Sequence, residues 1–550
     1  VALTIGLNLI LSLTKSALAR WAAYCDTTSW TSMHKVFTDK LLSMDYIDIE
    51  NPDTQQKFSE IRQHQNGMGF GLRRLLIAYD RIIAGLVQIA LSVSLAMSLF
   101  TLRVPPASPL SYLDSPLAMM LFAIALLCSI VVAPYLSMVG GKIWGRASHD
   151  NNVANRLFHF YFYQLTRDAH RAKDIRIYGQ QPLIERGASW GNQIGHWLEY
   201  ARYDARFSAA STAVSYLSNG MVYLYVALKA LAGAFGVGGI VQYVGAITQF
   251  GSGFATTLTN VGMLVNNNVF LDKAFAFLDT PNLMQQGALH VDRRRGATYT
   301  IEFRNVSFRY PGTDTYALKN LNLTLDTGRR MAVVGMNGSG KTTMIKLLCR
   351  LYDPTEGTIT LNGIDIRQYD YDAYLALFSI VFQDFRLLPL TLGQNVAASA
   401  EVDVDRARRV LWQSGLGPRL ENMPRGLETP LYREMEDDGI EVSGGEAQKT
   451  ALARALYRDA PFVVLDEPTA ALDPIAEYEI YSRFDEIVGD KTAVYISHRL
   501  SSCRFCDDIA VFHEGELVQR GSHEALLTDE RGKYYELWNA QAQYYATETA

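Results

Sequence analysis

The chain has 550 residues, 49% hydrophobic and only 19% charged, a composition that excludes a disordered polymer and a collagenous one. Its five cysteines, Cys25, Cys128, Cys349, Cys503 and Cys506, are too few and too scattered for a disulfide scaffold, which points to reduced intracellular thiols. The net charge of −5 is unevenly divided: residues 1–280 hold 22 Lys and Arg against 17 Asp and Glu, and the remainder holds 29 against 39.

In chain order, uncharged runs fall at 82–100, 116–139, 207–228 and 234–265. Each matches the ~20 residues a helix needs to cross ~30 Å of hydrocarbon. The opening run, residues 1–14, would span only ~21 Å at ~1.5 Å per residue. It is expected to be the remainder of a longer span, with one whole transmembrane helix missing before it. Basic residues assign the sides: nine lie between Lys15 and Arg81 and ten between Lys142 and Arg206, whereas the connection at 101–115 has only Arg103 and that at 229–234 only Lys229. The long basic stretches are therefore expected in the cytoplasm, as helical extensions of the spans. Lys229, near the outer end of its span, reads as an anchor whose stem snorkels to the headgroups, with substrate contact as the alternative. Asn219, Gln242, Gln249 and Thr256 are candidates for lining a cavity or for bonding helix to helix.

Beyond residue 298 the pattern changes to short β-rich runs alternating with helical ones, the rhythm of an α/β domain with a largely parallel sheet. The segment 281–297 reads as the linker. After the strand MAVV comes Gly335-Met-Asn337-Gly338-Ser339-Gly340-Lys341-Thr342-Thr343, a G-x-x-x-x-G-K-[ST] loop between a strand and a helix. Its backbone N–H groups and the helix N-terminus suit phosphates, Lys341 suits the β/γ oxygens, and Thr342 suits Mg²⁺. Further on, the buried run Phe462–Leu465 ends in Asp466 and Glu467, where Asp466 would hold the magnesium and Glu467 would polarise an attacking water. Cys503-x-x-Cys506 lacks both the context of a redox pair and the further ligands of a zinc site, so it reads as structural.

The order phosphate loop, Gln383, Val442-Ser443-Gly444-Gly445-Glu446, Leu465-Asp466-Glu467 and His498 resembles the nucleotide-binding domain of ABC transporters. The Ser-Gly-Gly segment is the discriminating piece, because it opens a helix and so makes a second anion site with no phosphate in its own chain. The resemblance implies that Tyr310 stacks on adenine, Gln383 senses magnesium and γ-phosphate, Asp473 links two facing sites and His498 contacts the γ-phosphate. It implies ATP and Mg²⁺ as cofactors, with Ser443, Gly444 and Gly445 serving the ATP of a facing domain. The membrane half resembles an exporter-type half-transporter, with coupling helices near Asp48–Lys57 and Phe158–Arg167.

Three features depart from the family. VSGGE replaces LSGGQ and puts a carboxylate beside a phosphate-binding turn. Arg433–Gly439 matches the segment before the signature only loosely, keeping Glu434 and Gly439. Five spans are found where six are usual.

The expected architecture is an all-α transmembrane domain at 1–280 and an α/β P-loop ATPase domain with a helical subdomain at 298–545. The expected function is ATP-driven transport of a peptide, lipid, drug or other small molecule, in the direction of export. The alternatives are uptake on the same fold and a non-pumping ATP-gated protein. A second half-transporter, identical or related, and the lipid bilayer are the implied partners, nucleic acid is not, and the implied location is a bacterial cytoplasmic membrane with the nucleotide domain inside.

Overall fold

In the computed structural model the described residues are 2–150, 160–161, 165, 169–187, 191–291, 298–468, 489, 491–497 and 500–546. By internal packing the chain forms two units, Val1–Met44 with Ile49–Pro281, and Asp45–Asp48 with Asn282–Ala550.

The first unit is helical. Its elements are α1 (Ala2–Ser43), α2 (Tyr46–Glu50, which reaches into the second unit's segment), α3 (Pro52–Met68), α4 (Leu72–Thr101), α5 (Pro116–Asp150), α6 (Ala169–Ile177), α7 (Gln181–Gly187), α8 (Gly191–Leu231) and α9 (Val237–Leu278). The apolar runs read from the sequence fall on α1, α4, α5, α8 and α9, with 234–236 preceding α9. Among the described residues, α1 and α4 are long and apolar enough to cross a membrane. The amides, hydroxyls and glycines of α8 and α9 dilute their hydropathy, and several are used between helices. Gln249 accepts from Gln88, and Ser98 Oγ meets the Tyr243 hydroxyl at 3.0 Å. The α4–α9 crossing is set by two glycines: a Cβ on Gly85 would fall 2.4 Å from Thr257 Oγ1 and 2.8 Å from the Gly253 carbonyl. On α8, Ser211 Oγ donates to the Ala133 carbonyl at 2.7 Å, beside Pro134 inside α5.

Lys229 does not snorkel. It is fully buried, its ammonium 3.0 Å from Asp114 Oδ1 and donating to the carbonyls of Leu99 at 3.1 Å and Leu102 at 2.9 Å. The lone cation of α8 thus ties down the end of α4 and the connection after it. The physical reason is the acid at residue 114: a paired, hydrogen-bonded ammonium can stay inside, where an unpaired one would have to reach water.

The region Asp48–Lys57, expected near the first coupling helix, holds the end of the short helix Tyr46–Glu50 and the start of α3. Asn51 and Pro52 then start a new helix, with Asn51 Oδ1 accepting the Asp53 N–H at 2.9 Å and Pro52 in the first turn, where its missing N–H costs nothing. Asp45–Asp48 packs with the second unit, where Tyr46 meets Tyr352 edge to face at 5.8 Å. Most of Phe158–Arg167 lies outside the described residues.

In the second unit β1 (Thr300–Phe308), β2 (Leu318–Asp326), β4 (Glu356–Leu361) and β5 (Ile364–Asp365) form an antiparallel sheet of order β2-β1-β4-β5. The other sheet has order β10-β9-β3-β8-β7-β6, from β3 (Arg330–Gly335), β6 (Phe378–Val381), β7 (Phe462–Asp466), β8 (Thr492–Ile496), β9 (Asp508–His513) and β10 (Glu516–Gly521). All its pairings are parallel except β9–β10. Strands such as FVVLD and TAVYI are buried on both faces, hence their unbroken apolar runs. The helices of this unit are α10 (Lys341–Leu348), α11 (Tyr371–Leu375), α12 (Leu392–Ala397), α13 (Val404–Gln413), α14 (Gly417–Glu421), α15 (Gly444–Arg458), α16 (His523–Thr528) and α17 (Lys533–Ala546). Helices α12–α15 are inserted between β6 and β7 around a core that includes Leu392, Leu411, Leu420 and Leu452. Because β3, β8 and β7 run parallel, Gly335, Ile496 and Asp466 end at one sheet edge, the place where open α/β sheets bind ligands.

Candidate functional site

The phosphate loop begins where β3 ends. Gly335 has φ 153°, and a Cβ there would lie 2.3 Å from the Phe512 carbonyl, so the turn tolerates glycine alone. Gly340 caps α10, whose first residue, Lys341, folds back to donate to the carbonyls of Gly335 at 3.0 Å and Met336 at 2.9 Å. Burial lowers the Lys341 pKa, and the acids Glu467 and Asp466 oppose that shift. Its ammonium is thus held by loop carbonyls, close to where a phosphate would seat.

Strand β7 delivers Asp466, which is 1% exposed and accepts from Thr342 Oγ1 at 3.3 Å. Burial, reinforced by the neighbouring charge of Glu467, pushes its pKa up to about 6. Among the described residues no hydrogen-bond donor reaches Asp466 Oδ1. Glu467, one residue on, adopts φ 50°, which breaks the strand. Its Oε2 accepts from Gln383 at 3.0 Å, and its carbonyl accepts from Gln448 on α15 at 3.0 Å. Tyr310, Asn337, Gly338, Gly340, Lys341, Thr342, Thr343, Gln383 and Glu467 line one cavity of about 450 Å³. Ser339, in the same loop, is buried, and its N–H donates to the Met336 carbonyl at 3.2 Å. The Tyr310 hydroxyl lies 3.0 Å from Thr343 Oγ1, and its ring packs edge-on against Phe308 and Tyr352.

Ser443, Gly444 and Gly445 do not line this cavity; they start α15, with Ser443 as N-cap. Asp473 and His498 lie outside the described residues. Cys503 is buried, and burial pushes the Cys506 thiol up to about 12, so the pair is inert packing rather than a nucleophile.

Three contacts had no signal in the sequence: Gln448 on the Glu467 carbonyl, Thr343 on the Tyr310 hydroxyl, and an Arg419–Glu446 ion pair. Each joins residues at least 19 positions apart, across a fold-dependent gap.

A phosphate loop, paired acids at a strand end and a capped Ser-Gly-Gly helix define a P-loop nucleotide-binding domain. Residues 318–470 match the family model described as ABC transporter, so this ATP-binding unit is of the ABC type. Over 313 residues the chain is 36% identical to the subtilin transport ATP-binding protein SpaT of Bacillus subtilis, covering 56% of this chain and 50% of that protein. Over 268 residues it is 38% identical to the ATP-dependent lipid A-core flippase of Yersinia pestis bv. Antiqua, covering 48% and 44%. The chain thus spans about half the length of these curated relatives. Its fold matches a solved bacterial Atm1-family ABC exporter with ATP bound, at a TM-score of 0.68 and 21% identity, over 94% of this chain and 86% of that one. In fold the chain thus follows that exporter, helical unit first and nucleotide-binding unit second.

Proposed function

We propose that this chain is one half of a membrane exporter driven by ATP hydrolysis. The observation that carries this reading is the convergence of Lys341, Thr342, Gln383 and Glu467 on one cavity, with Asp466 behind Thr342, in a chain with an exporter fold. Mg²⁺ fits the donors present: Thr342, Gln383 and Asp466 offer oxygen ligands, and among the described residues the buried Oδ1 of Asp466 has no competing donor. When bound, the ion would neutralise charge on the triphosphate. Lys341 would hold the phosphates, Tyr310 the adenine, and Glu467, oriented by Gln383, would take the proton of the attacking water. Asp473 and His498 are proposed on the resemblance alone, as link between sites and γ-phosphate contact.

Ser443, Gly444 and Gly445 are not part of their own chain's cavity. They suit the γ-phosphate of a second nucleotide domain, from another copy or a related chain, so hydrolysis would require two facing domains. The basic stretches support a nucleotide unit on the cytoplasmic side of a bacterial membrane. The relatives are named for subtilin and for lipid A-core, and a cargo of the peptide, lipid or small-molecule class suits the helical unit. Its cavity of about 220 Å³ mixes Leu126 and Ile130 with Ser215, Ser218, Asn219, Thr248 and Ser252.

Transport into vesicles of both orientations, with a panel of such cargoes, tests this. Export requires ATP-dependent accumulation in inside-out vesicles. Accumulation only in right-side-out vesicles with internal ATP would mean uptake, and ATP-gated flux down a gradient without accumulation would mean a channel.

A further inference from the structure

The glutamate of VSGGE is the third residue of α15, one turn from the donors just described. Ser443 Oγ accepts the Glu446 N–H at 3.2 Å, and Glu446 Oε2 accepts the Ser443 N–H at 2.9 Å. This reciprocal cap uses an oxygen lone pair of Ser443 and leaves its O–H proton free to donate. Gly444 and Gly445 occupy the first two helical positions, where an N–H has no acceptor within the helix. Glutamine at 446 would make the same cap without charge. Glutamate adds a carboxylate to a surface that, on the proposed two-domain reading, must accept a triphosphate.

The structure supplies a countercharge. Arg419 Nε lies 2.9 Å from Glu446 Oε1, so one carboxylate oxygen takes the Ser443 N–H and the other faces the guanidinium as an ion pair. Arg419 is carried by α14, whose place is fixed on three sides. Leu416 and Leu420 are buried in the subdomain core. Gly417 packs so close to Trp412 that a Cβ would fall 2.2 Å from the indole. From α15, Lys449 Nζ donates to the Gly415 carbonyl at 3.3 Å. The guanidinium is therefore delivered by packed helices rather than by a loose loop, and the side chains are only 42% and 25% exposed.

We propose that Arg419 is a positioning residue that neutralises Glu446 and makes the glutamate form of the signature competent to receive the γ-phosphate of ATP bound by a facing domain. This rests on the composite-site reading above. The departure from LSGGQ is then a compensated exchange rather than a lesion: the charge introduced at 446 is cancelled by a residue 27 positions earlier.

The test compares the ATP dependence of hydrolysis in reconstituted wild type, Arg419→Ala, Glu446→Gln and the double variant. Arg419→Ala is expected to raise the KM for ATP roughly tenfold, because it leaves an unpaired carboxylate at the phosphate-receiving surface. In the Glu446→Gln background the same Arg419→Ala change is expected to shift KM by less than about twofold, since no charge is left to compensate. Arg419→Lys should retain most of the wild-type KM and Arg419→Gln should reproduce the alanine variant, which guards against a folding defect peculiar to alanine. Equal loss in both backgrounds would show that Arg419 only packs, and an unchanged KM in Arg419→Ala would also overturn the proposal. Ser443→Arg separates the two levels. Wild-type hydrolysis by Ser443→Arg removes the composite site and the proposal with it, whereas an inactive Ser443→Arg beside a silent Arg419→Ala removes the proposal alone.

Discussion

Lys229→Met is expected to destabilise the helical unit, and the contacts of the ammonium set the size of the effect. Nζ is fully buried and holds three oxygens, Asp114 Oδ1 at 3.0 Å and the carbonyls of Leu99 and Leu102 at 3.1 and 2.9 Å. Removing one partner of a fully buried ion pair costs about 3–5 kcal/mol, because the other charge is stranded. Asp114 is 17% exposed and keeps the Val104 N–H, so some solvation survives and the expected cost falls to about 2–4 kcal/mol. For a unit of this size that corresponds to a fall of roughly 5–10 °C in the unfolding midpoint. The assay is thermal unfolding of detergent-solubilised protein, followed by loss of the monodisperse species. Asp114→Asn in the Lys229→Met background should recover part of the loss, since neutralising both partners removes the stranded charge. A Lys229→Met midpoint within about 1 °C of wild type, the range of an ordinary surface change, would show that the ammonium reaches the headgroups after all.

Glu467→Gln should leave ATP binding nearly intact and slow hydrolysis by ~10² or more, whereas Lys341→Ala should weaken binding itself. Nucleotide titrations of both variants check this, and equal loss of affinity would contradict their separate roles. Asp466 titrates near 6 in the fold against ~3.9 unfolded, so the folded state binds its proton more tightly and nucleotide-free protein loses stability as pH rises from about 4 to 6. Asp466→Asn should therefore match wild type near pH 4 and exceed it by about 2–3 kcal/mol at neutral pH, and a gap independent of pH would sink the assignment. Gly85→Leu should force α4 from α9, since even a Cβ would lie 2.4 Å from Thr257 Oγ1; a cost of at least about 1–3 kcal/mol should appear as poor thermal stability.

The nucleotide-binding motifs were legible in the sequence because they are local. A phosphate loop needs glycines at fixed spacing, a lysine and a helix start, all within Gly335–Thr343, and Asp466 and Glu467 are adjacent at the end of an apolar strand. The division into a helical and an α/β half was equally open to reading, because membrane thickness and sheet burial impose different lengths on apolar runs. What the fold alone decided is which distant groups meet. Gln383 reaches Glu467 only because β6 and β7 are neighbours in the sheet, although α12–α15 separate them in the chain. Lys229 looked like an anchor because sequence shows its depth but not its partner, and Asp114 is 115 positions away. Glu446 read as a lone carboxylate beside the phosphate-binding turn for the same reason. Its pairing with Arg419 depends on α14 packing beside α15, and a charge pair formed across two helices leaves no periodicity for a sequence to display.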